Sequence, residues 1–300
     1  MKKIVWLTGS RGFVGSYVSR ALLNSGYEVK FLTNSPTDNN ELIYSDFSDR
    51  SQIKHVIERH GAPDTFIHLG WGNVYEPHHE CHINENVQDG INLIDEFYNA
   101  GVKRILLIGS SSEYGDRQGL LKENHLPTGE VNNYVKGKIA LAKYGLESAE
   151  KINRIFIHIR LFYTYGAGQK HNSLINQLFQ NSIQGDEMSL SPCEHYRDYI
   201  HVSEAAEGIS RITNVEQSGI INLGSGNVIL LKDFVKLFWD ELGADSEKLV
   251  FGSHDVPTLE QIQPKSYADL SILKNRTNWT PSLTIEDGIK KTVEQLRLSV

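Results

Sequence analysis

Cysteine is nearly absent from this 300-residue chain, where Cys81 and Cys193 stand alone. Two thiols so far apart have neither metal-ligand spacing nor the density of a disulfide scaffold, so a reducing compartment is expected. Long apolar runs are missing too. No stretch approaches the ~20 apolar residues a membrane helix requires. Residues 4–7, behind Met1-Lys2-Lys3, are far fewer than the apolar core of a secretory signal and read as a first strand. The expectation is a soluble, cytoplasmic protein with no membrane partner. Positive charge is in deficit: 30 Lys and Arg against 37 Asp and Glu give a net charge of -7. That balance offers no general attraction to nucleic acid, so an anionic ligand has to be met by local positive groups. Internal repeats and low-complexity tracts are also lacking, and the polar patch at 34–40 reads as a surface loop.

What is present is a rhythm. Short β-branched or apolar runs at 4–8, 28–33, 65–69, 104–109 and 155–159 alternate with helix-period segments at 13–24, 51–60, 86–100 and 133–151. Gly26 and Gly101 are placed to end helices. Successive βα units of this kind predict an α/β fold, a doubly wound parallel sheet of Rossmann type with helices on both faces. After Arg160 the rhythm loosens, with loop-rich stretches at 165–172 and 252–265. The expected organisation is a Rossmann domain over 1–163 and a smaller α/β substrate lobe over 164–300, some segments of which return to the first domain.

Directly after the first strand comes Gly9-Ser10-Arg11-Gly12-Phe13-Val14-Gly15, opening the first helix. Glycines permit a tight turn and a close backbone approach, and the helix N-terminus offers free N–H groups to a pyrophosphate, so this segment predicts a dinucleotide site. The second strand ends in Thr33-Asn34 without the acidic residue that would hold a free ribose 2'-hydroxyl. Arg11 lies in the turn, where it can meet a 2'-phosphate. NADPH is therefore favoured as cofactor, with NAD as the alternative in which Asn34 bonds the ribose.

Tyr134 and Lys138 are one helical turn apart and project on one face. An ammonium beside a phenol lowers its pKa from ~10 and makes tyrosine a usable acid or base. Ser110, just past a strand end at the carboxyl edge of the sheet, is placed to hold a carbonyl oxygen.

Together these features resemble the extended short-chain dehydrogenase/reductase family, in its nucleotide-sugar epimerase, dehydratase and reductase branch, over nearly the whole chain. Asp46-Phe47 resembles the family's adenine-contacting pair, and His68-Leu69-Gly70-Trp71 its loop beside the pyrophosphate. Asn86 resembles the asparagine before its long interface helix, Arg160-Leu161-Phe162-Tyr163 the entry to the substrate lobe, and Arg197-Asp198-Tyr199-Ile200-His201 the sugar-diphosphate strand. Ile221-Asn222-Leu223-Gly224-Ser225-Gly226 is similar to a later turn, and Tyr267-Ala268-Asp269 and Trp279-Thr280-Pro281 to the C-terminal pattern. The resemblance implies that Tyr134 moves the sugar hydroxyl proton, Lys138 binds the nicotinamide ribose, Ser110 holds the reacting oxygen and Arg197 pairs with substrate phosphate. For Arg197 the competing expectation is a surface salt bridge with Glu194.

The chain also departs from the family. Dehydratases carry an Asp-Glu pair after the position of Ser110, and this chain has Ser111 and Ser112, which argues against water elimination and leaves them as substrate contacts. Glu113 follows, expected to solvate the loop. Tyr163 replaces an asparagine that touches the diphosphate, the stretch around Leu259 lacks an arginine used by some epimerases, and Gly137 replaces a frequent serine in a change read as neutral. Asn172 and its neighbours belong to the loops that choose the sugar.

Three functions follow: NAD(P)H-dependent reduction of a nucleotide-linked 4-keto-6-deoxyhexose, favoured here; NAD-dependent C4 epimerisation of a nucleotide sugar; and a catalytically inactive, cofactor-binding regulator, against which Ser110, Tyr134 and Lys138 argue. The His78, His79, Glu80, Cys81 and His82 patch is the one metal-like tract, expected to be a solvated loop. By resemblance, the helices at 86–100 and 133–151 would form a homodimer, although Ile91, Ile94 and Leu141 could equally be core contacts.

Overall fold

The computed structural model describes residues 2–253 and 265–298. The sequence reading around Leu259, and most of the 252–265 loop, lies outside these residues. Seven parallel strands form the central sheet, in the order Gly219–Leu223, Ile155–Leu161, Arg104–Ser110, Thr65–His68, Ile4–Thr8, Glu28–Thr33, Leu42–Tyr44. The chain begins at Ile4–Thr8, winds outward to Leu42–Tyr44, then crosses back to Thr65–His68 and builds the other half. The reversal lies between Ile4–Thr8 and Thr65–His68, so a crevice opens past their carboxyl ends, where an open α/β sheet binds ligands.

Period-two alternation explains the layers. Val5 and Leu7 face one side with Val18, Leu22, Ile157 and Ile209. Trp6 faces the other with Phe66, Phe97, Ile105, Leu141 and Phe156. Phe66 and Phe97 stack at 3.9 Å between centroids. Burying such a side chain fully is worth about 1.5–3 kcal/mol, so each face holds its helices firmly. The helices Phe13–Asn24 and Val202–Ile212 cover the first face; Arg50–His60, Asn86–Asn99 and Asn133–Lys151 cover the second. Asn132 starts the last of these by accepting from Val135 N at 3.0 Å.

A separate apolar core, with Tyr165, Leu178, Phe179, Phe234, Phe238, Trp239 and Val293, holds the smaller lobe together. Ile221, Asn222 and Leu223, read from sequence as part of a later turn, instead belong to Gly219–Leu223, the edge strand of the large sheet, paired with Ile155–Leu161. Ile94 and Leu141 are buried in the second face and Ile91 packs against it, so these three positions serve the core.

Candidate active site

Two adjoining cavities of about 1010 and 270 Å³ occupy the crevice and share Gly9, Arg11, Gly12, Gly70 and Trp71 in their walls. The glycine turn is cut to fit this crossing. Gly9 has a φ of +76°, and a Cβ there would lie 2.7 Å from Gly70 N; a Cβ on Gly15 would lie 2.0 Å from Gly9 O. The helix Phe13–Asn24 starts at Gly12 with no side-chain cap, which leaves its first N–H groups to an anion. Phe13, Val14, Leu69, Tyr134, Lys138 and Asn172 also line the larger cavity. Asn34, Phe47 and Asn86 line the smaller one, joined by Asp89, which sequence reasoning did not single out. These walls fit a dinucleotide, with a glycine cradle for the pyrophosphate and the smaller cavity for the adenosine. Arg11 reaches Thr33 Oγ1 at 3.5 Å. Asp46 does not line either cavity; its Oδ1 accepts from Ser48 N at 2.9 Å and Ser48 Oγ at 2.8 Å, closing the turn that presents Phe47.

The cavity floor is a layer of partnered polar groups. Thr8 Oγ1 accepts from Gly70 N at 3.0 Å and contacts His68 Nδ1 at 2.8 Å. Burial pushes His68 down to about 3, so its imidazole is neutral at physiological pH. Asn86 brackets Gly72 with its side-chain amide, accepting from the Gly72 N–H at 3.3 Å and donating to its carbonyl at 3.1 Å. The His/Cys patch is not a solvated loop throughout. His82 is fully buried, accepts from Trp71 Nε1 at 2.9 Å and donates through Nε2 to Glu76 O at 3.0 Å, and Cys81 is buried beside it. Gly137 makes this possible, because a Cβ there would sit 2.3 Å from the His82 carbonyl oxygen. The exchange of serine for glycine is therefore structural rather than neutral.

Tyr134 and Lys138 meet at the inner wall. Lys138 is fully buried; its ammonium donates to Ile108 O at 2.8 Å and stands 3.8 Å from the Trp71 ring centroid. Desolvation brings it down to about 7. The Lys138 ammonium is 5.8 Å from the Tyr134 ring centroid, and the phenol is not lowered as the sequence implied. Burial and the negative charge of Glu113 push Tyr134 up to about 12, partly offset by the Ser110 hydroxyl beside it.

Ser110 ends its strand and caps the 3-10 turn Ser111–Tyr114, its Oγ accepting from Ser112 N at 3.1 Å. Ser111 is half-buried and Ser112 exposed, and neither lines the two cavities. Glu113 does not solvate the loop. It is 1 % exposed, with Oε1 accepting from Ser110 N at 2.8 Å and Oε2 from His158 Nε2 at 2.7 Å and Arg160 Nε at 3.1 Å. The sequence held a signal for this. His158 and Arg160 lie two apart in the apolar run Ile155–Leu161, so they share one face, and a buried guanidinium demands a counter-charge.

Tyr163 and Arg197 come together, the guanidinium 4.4 Å from the ring centroid, but away from the two cavities. Arg197 is buried and donates to Tyr196 O at 3.4 Å; the expected bridge to Glu194 does not form. Its neighbour Asp198 is also buried and binds Ser225 N at 2.7 Å, Gly226 N at 3.0 Å and Ala268 N at 3.0 Å, tying the two resembling turns to this strand.

A seven-stranded parallel sheet with a glycine cradle and a buried tyrosine and lysine at its switch point defines a Rossmann-type nicotinamide dinucleotide enzyme. Residues 5–224 match the NAD dependent epimerase/dehydratase family, and the chain belongs to it. It is 26 % identical to a UDP-glucose 4-epimerase of Neisseria gonorrhoeae, over 92 % of each chain. It is also 26 % identical to the dTDP-6-deoxy-L-talose 4-dehydrogenase (NAD(+)) of Aggregatibacter actinomycetemcomitans, over 77 % of this chain and 88 % of that one. Its fold is that of the UDP-N-acetylglucosamine 4-epimerase from Bacillus cereus, with a TM-score of 0.85 at 21 % identity over 99 % and 97 % of the two chains. The chain is thus an enzyme of the extended short-chain dehydrogenase/reductase class, and the relatives named here are enzymes of nucleotide sugars.

Proposed function

We propose that the chain reduces the 4-ketone of a nucleotide-linked 4-keto-6-deoxyhexose to the alcohol. The observation that carries this is the placing of Tyr134 and Lys138 together at the wall of the dinucleotide crevice, the ammonium 5.8 Å from the phenol ring centroid, where a protonated phenol can give its proton to a ketone oxygen. A nicotinamide dinucleotide in the crevice supplies the hydride. Ser110 offers its hydroxyl to the same oxygen, and Lys138, charged over part of its titration, offsets the negative charge left on the phenol. Ser111 and Ser112 supply no acid–base pair for elimination, and the Glu113 carboxylate is consumed by Ser110, His158 and Arg160. The relative named for 4-dehydrogenation of a deoxysugar supports this reading.

C4 epimerisation is the second reading, supported by the UDP-glucose 4-epimerase match over 92 % of each chain. It uses the same three residues and returns the hydride to the sugar. For the cofactor, Arg11 draws toward a 2'-phosphate, whereas Asp89 brings a carboxylate into the adenosine end and repels one. With the deoxysugar relative named for NAD(+), we favour NAD(H) over the NADPH that the sequence suggested. We also propose that Ser111, Ser112, Tyr163, Asn172 and Arg197 meet the substrate, and that two chains pair through the helices Asn86–Asn99 and Asn133–Lys151, which light scattering checks.

The deciding experiment incubates the protein with NADH or NADPH and a panel of nucleotide-linked 4-keto-6-deoxyhexoses, following nicotinamide absorbance, with Tyr134→Phe as control. Stoichiometric oxidation abolished by the variant supports the reductase. Interconversion of 4-hydroxy nucleotide sugars with no net oxidation replaces it with the epimerase.

A further inference from the structure

The last three residues of the strand Arg104–Ser110 are held from two sides. Lys138 donates to Ile108 O at 2.8 Å, and two residues on, the Ser110 N–H donates to Glu113 Oε1 at 2.8 Å. Gly109, between them, leaves room for this arrangement: a Cβ there would lie 2.2 Å from Glu113 Oε1 and 2.3 Å from the His158 ring. The carboxylate is thus folded beneath the strand end that carries Ser110, with its other oxygen fixed by His158 and Arg160. Arg160 is itself held by the Glu123 carbonyl at 3.2 Å and lies 4.4 Å from the Tyr114 ring centroid. A buried anion with every partner in place is rigid, and removing its charge disturbs each neighbour that depends on it.

We propose that Glu113 is the positioning residue of this site, setting the height of Ser110 through its backbone and placing a fixed negative charge beneath Tyr134 and Lys138. The assignment rests on the reading of Ser110, Tyr134 and Lys138 as the reacting group. Charged and titratable groups reach this centre from every element packed on it: His158 and Arg160 from the neighbouring strand, Tyr134 and Lys138 from the long helix, Glu123 behind Arg160, His68 from the cavity floor, and His82, whose ring centroid is 5.5 Å from that of Tyr134. Among them Glu113 raises the proton affinity of both Tyr134 and Lys138. Burial is the larger cause of the raised Tyr134 value, and the Glu113 charge adds to it.

The first test is a spectroscopic titration that needs neither substrate nor cofactor. Tyrosinate absorbance is followed with pH in the wild-type protein and in Tyr134→Phe, and the difference isolates Tyr134. The same pair is then measured with Glu113→Gln, which keeps an oxygen for the Ser110 N–H and removes the charge. The Tyr134 midpoint should fall by about one pH unit. An unmoved midpoint in a folded variant overturns the assignment. Glu113→Asp serves as the second variant, retaining the charge while drawing the oxygen back from Ser110. Its Tyr134 midpoint should stay near the wild-type value while kcat drops at least tenfold with KM little changed, and an unaltered kcat overturns the positioning of Ser110. Should the proposed substrates prove wrong, the titration still reads Glu113, so the two failures are told apart.

Discussion

The Lys138 ammonium is seated on the face of Trp71, 3.8 Å from the ring centroid, and Trp71 is itself pinned by its indole N–H to His82. The lysine that the family resemblance assigns to the cofactor ribose is therefore held by an aromatic plane from the segment His68-Leu69-Gly70-Trp71. A desolvated cation over an indole is worth about 2 kcal/mol. Trp71→Leu should weaken NADH binding by roughly tenfold or more, with the fold retained. Calorimetric titration of the two proteins checks this, and equal dissociation constants would sink it.

The same lysine makes a stability prediction. In the folded chain Lys138 titrates near 7 against 10.5 in the unfolded chain. Between those values the unfolded state binds more protons, so folding stability rises with pH. Relative to Lys138→Met, the wild-type protein should gain on the order of 1–2 kcal/mol between pH 7 and 9. Urea unfolding of both proteins at the two pH values measures it. A constant difference would place the ammonium in contact with water.

Acid should act through His68. Its folded value of about 3 lies below the unfolded 6.5, so its contribution is complete above pH 6.5 and is lost as pH falls toward 3. His68→Asn removes the titration. The wild-type advantage over this variant should shrink by about 2 kcal/mol between pH 7 and 5. Denaturant midpoints at the two pH values supply the comparison, and an advantage that holds steady would count against a neutral buried imidazole.

Gly137 gives a steric prediction. A methyl group at this position meets the main-chain oxygen of His82, which cannot rotate aside. Gly137→Ala should destabilise the protein by about 1–3 kcal/mol despite the better helix propensity of alanine. Thermal denaturation reads this directly. A variant as stable as the parent would mean that the segment Cys81–Asn84 moves away at little expense.

Much of this was legible in advance because local chemistry and fold agreed. The helices at 13–24 and 133–151 were read with the bounds the structure has, since each carries helical periodicity over its full length. The glycine turn was legible from its place between strand and helix. The strand Leu42–Tyr44 escaped because three residues carry no periodicity, and Gly219–Leu223 because the Gly224-Ser225-Gly226 turn after it dominated the segment. Glu113 was misread for a different reason. A carboxylate among serines looks solvated until the strand bearing His158 and Arg160 is laid beside it, and that pairing is tertiary. Trp71, His82 and Gly137 likewise acquire meaning only where three separate segments converge.

The edge strand Gly219–Leu223 comes from beyond the first stretch of the smaller lobe, yet it pairs along its own whole length with residues Ile157 to Leu161. Until it arrives, the strand Ile155–Leu161 presents an unpaired row of N–H and C=O groups flanked by isoleucine and phenylalanine, a template for another copy of itself. Truncation before Gly219 should therefore yield aggregates rather than a working cofactor domain. The detour of the chain through the second lobe and back thus acts as a latch, covering a flank of the sheet that would otherwise stand open.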